Sequence, residues 1–155
     1  MEVVKLLIAL NIDITSNNNG AVQLASRNGH LCIVRLLIAN GADITVENNY
    51  AVRFASANGH LEVVKLLIEY GGDKNYAIES AIKSGHLEIV KLLITYGIDV
   101  TINDNYAIKL ASEYGRFEIV KLLIEYGGDE NYAIEYAIKF GYLGISKILA
   151  IIEIN

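Results

Sequence analysis

Apolar residues recur along this chain with a helical period. In residues 61–69, LEVVKLLIE, the residues Leu61, Val63, Val64, Leu66, Leu67 and Ile68 form one apolar arc, and Glu62, Lys65 and Glu69 fall on the opposite face. The three charges stand at i, i+3 and i+7, an acid–base–acid ladder worth a few tenths of a kcal/mol per pair. Gly71 follows, with Gly41, Gly97 and Gly127 after similar segments and Asn11 after the first one. A left-handed residue just past a helix is cheapest as glycine and next as asparagine. The pattern predicts short amphipathic helices, each with its own stop.

The segment GHLEVVKLLIEYGGD from Gly59 has copies from Gly29, Gly85 and Gly115, a worn copy from Gly141 and a leading half-copy at the start of the chain. Between them runs a shorter theme: NGAVQLASRN from Asn19, NYAVRFASAN from Asn49, NYAIESAIKS from Asn75, NYAIKLASEY from Asn105 and NYAIEYAIKF from Asn131. It predicts a second helix per unit, with Asn49, Asn75, Asn105 and Asn131 as N-caps. Small Ala51, Ala55 and Ser56 permit close helix approach. One such pair cannot bury its apolar face, so the pairs should stack on a shared core. Tyr50, Tyr76, Tyr106 and Tyr132 fall at one spot in successive units. They are expected to pack helix starts together within that core, against the competing reading of a partner platform.

The motif G-H-L-E-[IV]-V-K-L-L-I-x-x-G-x-D followed by A-[VI]-x-x-A resembles the ankyrin repeat over essentially the whole chain. The resemblance implies an all-α ankyrin-repeat solenoid of stacked helix pairs, with short or absent β-hairpin fingers. It implies one array over residues 1–155: a partial repeat 1–13, repeats about 19–43, 49–73, 75–99 and 105–129, and a degenerate repeat 131–155. The inner helix departs from the family, with Tyr-Ala-Ile or Tyr-Ala-Val where Thr-Pro-Leu-His is usual. With the heavy use of Asn, Ile, Lys and Tyr, this is similar to ankyrin proteins encoded by giant DNA viruses of amoebae.

The period is uneven. Gly29, Gly59, Gly85, Gly115 and Gly141 stand 30, 26, 30 and 26 residues apart. The difference lies between Asp and Tyr: ITVENN and VTINDN are long linkers, whereas KN and EN are short. The longer linkers can form reduced hairpins and the shorter ones only tight turns. Fingers are therefore expected near residues 13–19, 43–49 and 99–105 only, and the duplicated unit is a 56-residue pair.

Composition narrows the function. A formal net charge of −5 argues against general nucleic-acid binding, which needs a dense basic surface. No apolar run is long enough to span a bilayer. The start MEVVKLLIAL is a repeat copy, since Glu2 sits where a secretory signal carries basic residues. Cys32 stands alone, which fits a reducing, cytoplasmic setting, the host cytoplasm for a viral protein.

Candidate chemistry is sparse. His30, His60 and His86 lie in different repeats, about 10 Å apart by helix diameter, too far to share a zinc. They are expected to make capping or inter-repeat hydrogen bonds. Ser26, Ser56 and Ser112 have no assembled base and acid. Cys32 has no basic trigger, and Gly71-Gly72 and Gly127-Gly128 are helix stops. No catalytic residue, metal or cofactor is expected, and the chain is not read as an enzyme.

The resemblance implies that partners meet the finger tips and the exposed side of the inner helices. On the fingers these are Val46, Glu47, Asn48, Ile102, Asn103 and Asp104. On the inner helices one row is Gln23, Arg53, Glu79, Lys109 and Glu135, the other Arg27, Ala57, Lys83, Glu113 and Lys139, with Tyr114 beside them. Charge alternates along both rows, which reads either as a solvated face or as a register-setting partner surface. The function expected is binding of an intracellular protein. The alternatives are a substrate adaptor for a ubiquitin ligase and a spare array without a partner. Both ends look apolar: residues 3–8 lack an inner helix, and Ile151 stands in the slot of Glu69 and Glu125. That predicts a fragment of a longer array or self-association through the ends.

Overall fold

The computed structural model describes residues 13, 15–142 and 144. The expectations for Asn11, for the helix at 3–8 and for Ile151 lie outside them. Nine helices occur among the described residues. The inner ones are α1 (Ser16–Arg27), α3 (Val46–Ala57), α5 (Lys74–Ser84), α7 (Ile102–Glu113) and α9 (Glu130–Lys139). The outer ones are α2 (Leu31–Ala39), α4 (Leu61–Glu69), α6 (Leu87–Thr95) and α8 (Phe117–Glu125). None is long and apolar enough to cross a membrane.

The chain divides into two compact units, Met1–Ser80 and Ala81–Asn155, with the division inside α5. In the first unit α1 packs on α2 and α3, α3 packs on α4, and α2 meets α4. In the second unit α7 packs on α8 and α9, and α6 meets α8. The core repeats with the sequence: Val34, Val64, Val90 and Val120 are fully buried, as are Leu67, Leu93 and Leu123. Ala55, Ala81, Ala111 and Ala137 are buried beside them, where a larger side chain would hold neighbouring helices apart.

The outer-helix histidine is an inter-repeat staple. His60 Nε2 lies 2.9 Å from the carbonyl oxygen of Arg27, one repeat earlier. Arg116 does the same job by donating from Nε (3.0 Å) and Nη2 (2.6 Å) to the Lys83 carbonyl. These contacts satisfy carbonyls left open near helix C-termini. They also explain Gly29: its φ is +73°, and a Cβ there would stand 2.5 Å from the His60 ring. Gly72 has a different reason. Its Cβ would stand 2.9 Å from the Leu67 carbonyl oxygen, so the second glycine of the stop is required by close approach.

The long linkers do not form β-hairpins, contrary to the expectation for 43–49 and 99–105. Asp43 Oδ1 accepts the Thr45 N–H at 2.8 Å and the Thr45 hydroxyl at 2.7 Å, which closes the chain into a tight turn. Glu47, Asn48 and Asn49 then adopt left-handed geometry, with φ of 51°, 53° and 59°. Asn49 N–H returns to the Thr45 carbonyl at 3.1 Å. Asp99, Thr101 and residues Asn103, Asp104 and Asn105 repeat the device. In the linker at 13–19, Asp13 holds Thr15 likewise, and Asn19 has φ of 60°. Asparagine and aspartate tolerate this region best, which accounts for their density in the linkers. At the short linkers α5 and α9 start directly after Asp73 and Asp129.

The asparagines are not N-caps. Asn19, Asn49 and Asn105 instead accept the backbone N–H of Asp43, Asp73 and Asp129 in the following repeat, at 2.8, 3.0 and 2.9 Å. Left-handed backbone turns each amide away from its own helix. At the short linkers the cap is the aspartate: Asp129 accepts the Asn131 N–H at 2.8 Å, and Asp73 accepts that of Asn75 at 2.7 Å.

Two stability outcomes follow. Gly41 has φ of +88° and no atom within 4 Å of a Cβ, so Gly41→Ala bears conformational strain alone, about 1 kcal/mol. Gly29→Ala must also displace His60, and it should cost about 1–2 kcal/mol more by urea denaturation. Equal losses at the two sites would refute the staple. Ser56 is fully buried and its hydroxyl has no partner. Ser56→Ala should therefore raise stability by about 1 kcal/mol, read as an increased urea midpoint at unchanged slope.

Candidate functional site

The inner helices place their tyrosines at the surface, correcting the expectation that these rings form core. Tyr76 and Tyr106 are exposed, and Tyr50 and Tyr132 are half-buried. The reason is the residue at the other end of the motif. The Arg53 guanidinium lies over the Tyr76 ring at 5.7 Å from its centroid, and Lys109 Nζ lies over Tyr132 at 3.8 Å. Each of these two rings reaches back over the cation of the preceding repeat. A phenol can cover a cation and keep its hydroxyl in water, so no core position is needed. The common separation of 23 residues between cation and ring is the sequence signal for this pairing.

In the second unit the cation is neutralised locally. Asp104, in the left-handed turn, pairs with Lys109 and accepts the Tyr132 hydroxyl at 2.7 Å. Lys109 also faces Tyr136 at 5.9 Å. Hydrogen bonds from Lys109 first and Tyr132 second hold the Asp104 carboxyl below its ordinary range. The Lys109 bond to Asp104 raises the lysine above its usual value, and the hydroxyl bond that Tyr132 donates to Asp104 raises the phenol. Asp43 is lowered by the Thr45 N–H and then its hydroxyl, and Asp99 by the Thr101 hydroxyl and then its N–H.

In the first unit the arrangement differs. Arg27 lies over Phe54 at 5.6 Å, and Phe54 stacks on Tyr50 with centroids 4.0 Å apart. Among the described residues no carboxylate pairs with Arg27. Leu24, at the position matching Phe54, is 57% exposed. Leu24, Phe54, Tyr76 and Tyr132 were not among the candidate contact residues.

The candidates divide by accessibility. Gln23 is buried and leaves the accessible row, because α1 turns it inward. Only 15% of the Lys109 side chain is exposed, since Asp104 and Tyr132 occupy it. Arg27, Glu135, Lys139 and Tyr114 are exposed, and Arg53, Ala57, Glu79, Lys83 and Glu113 are half-buried. On the turns, Glu47, Asn48, Ile102, Asn103 and Asp104 are exposed and Val46 is half-buried. Within the second unit, Lys109 and Asp104 are brought together. Among the described residues no group of three or more His, Cys, Asp or Glu is placed to hold a metal ion.

The carboxylate shift carries a sign. Asp104 protonates below the ordinary 3.8, so its stabilising contribution is full above that pH and disappears as pH falls through the folded value. Lys109→Met should move its titration midpoint, followed by carboxyl NMR, upward toward 3.8. An unmoved midpoint would remove Lys109 as the cause.

Family models meet this geometry from the sequence side. One described as ankyrin repeats (3 copies) matches residues 46–104 and 81–155, and one described as ankyrin repeats (many copies) matches residues 22–68. No curated protein matches the chain. The matches span most of the sequence, and helix pairs with glycine stops stack repeat on repeat within each unit: the chain belongs to the ankyrin-repeat family, all-α solenoids that generally mediate protein–protein interaction.

Proposed function

We propose that this chain is a protein-binding module that holds a cytoplasmic partner against its inner helices and left-handed turns. The observation that carries this reading is the exposure of Leu24, Tyr76, Tyr106 and Tyr114 on or at the ends of inner helices that also carry cations. Aromatic side chains and arginine are the residues that protein interfaces concentrate. The contact of Tyr76 with Arg53 of the preceding repeat restrains that ring before a partner arrives, which lowers the entropy lost on association.

Binding rather than catalysis is the mode we infer. Ser26, Ser56 and Ser112 are fully buried, so their hydroxyls cannot meet a substrate. Cys32 is an exposed free thiol, which suits a reducing compartment.

Charge reversal separates the two faces. Lys83 and Lys139 stand on inner helices, whereas Lys91 and Lys121 stand on outer ones with side chains 46% and 42% exposed. The pair Lys83→Glu with Lys139→Glu should lose the partner captured by the wild-type chain, at least tenfold in yield. The pair Lys91→Glu with Lys121→Glu should retain it, with unchanged melting in both. Equal capture by the two variants would sink the assignment to the inner face.

A further inference from the structure

We propose that the first unit recognises an acidic, extended peptide segment through Arg27 and Arg53. This rests on the reading of the inner face as a protein-binding surface and names the partner chemistry there. Both guanidiniums sit over aromatic rings, Arg27 over Phe54 and Arg53 over Tyr76. Neither makes a side-chain hydrogen bond or an ion pair among the described residues. The ring contact restrains each cation and leaves its N–H donors unused. An arginine in that state presents a positioned fork for a carboxylate, and the bidentate bond is among the stronger polar contacts.

The second unit shows what a satisfied cation looks like in the same fold. Lys109 occupies the position equivalent to Arg53, lies over Tyr132 as Arg53 lies over Tyr76, and is closed off by Asp104. At the matching turn position of the first unit stands Asn48, a neutral residue. Asn48 cannot pair with Arg53 as Asp104 pairs with Lys109, and although Glu47 stands beside it, Arg53 makes no ion pair among the described residues.

Geometry limits that ligand. Packed helices lie about 8–10 Å apart, and Arg27 and Arg53 differ by about one turn, roughly 5.4 Å, in their helix positions. Same-face side chains of an extended peptide recur every two residues, about 6.6 Å. Together these offsets put the two helix positions about 10–11 Å apart, between the two-residue and four-residue same-face repeats of a strand (about 6.6 and 13 Å), so a strand-like segment with acidic residues on one face can meet both guanidiniums through the length of the arginine side chains.

The test uses the full chain and a fluorescent peptide alternating Glu and Ser, so that one face is acidic in any register. Its counterpart alternates Gln and Ser. The Glu peptide should bind at low salt, weaken as ionic strength rises, and lose about tenfold or more in affinity with either Arg27→Gln or Arg53→Gln. Lys121→Gln, on an outer helix, should change it less than twofold. Failure of the Glu peptide to bind, equal binding of the Gln peptide, or undiminished binding by both arginine variants would overturn the proposal. The Gln-peptide comparison needs no altered protein, so it stands even where a variant folds poorly. None of these outcomes touches partner capture through Lys83 and Lys139, so the two readings fail separately.

Discussion

Among the described residues the outer helices are nine residues long, and the inner ones run from ten to twelve, with three left-handed residues inside each of α3 and α7. Helices of that length are marginal in water even with favourable sequences. Each must therefore bury its apolar stripe against a neighbour, and the rest of the structure follows from that need. Valine, leucine and alanine recur at the same buried positions because every repeat meets the same packing problem. Stability is then carried mostly by the contacts between adjacent repeats within each unit.

Polar groups complete this stacking rather than drive it. His60 and Arg116 reach one repeat back to a free carbonyl, and Asn19, Asn49 and Asn105 reach one repeat forward to a free N–H. Staple and clamp satisfy backbone groups that stacking would otherwise bury unpaired. The clamp requires left-handed backbone at the asparagine, and the turn preceding it supplies that conformation. A linker that reads as a reduced finger is thus a device for presenting one amide to the next repeat. The same turn carries Glu47, Asn48, Asn103 and Asp104 outward, so packing geometry and candidate contact surface are set together.

The cation–aromatic pairs have a similar double character. They join successive inner helices, and they decide which charges remain available. Lys109 is absorbed by Asp104 and Tyr132, whereas among the described residues the guanidiniums of Arg27 and Arg53 pair with rings and with no carboxylate. Two units with closely related sequences therefore offer different electrostatic surfaces. The carboxylate changes place within the turn, Glu47-Asn48 in the first unit against Asn103-Asp104 in the second, and only Asp104 pairs with the cation of its own inner helix.

Periodicity alone was enough to place the helix pairs, the glycine stops and the buried alanines, because these depend on spacing and on the residue itself. The role of His60 as an inter-repeat bond was legible for the same reason: a residue that recurs once per repeat tends to make a contact that recurs once per repeat. Three things were decided only in three dimensions. The linkers became left-handed turns, since Asp43 and Thr45 close the chain before a strand can pair. The asparagines became clamps, since their backbone geometry points them away from their own helices. The tyrosines came to the surface and Gln23 went inside, because the direction of a side chain on a short helix is fixed by what the neighbouring helix leaves open.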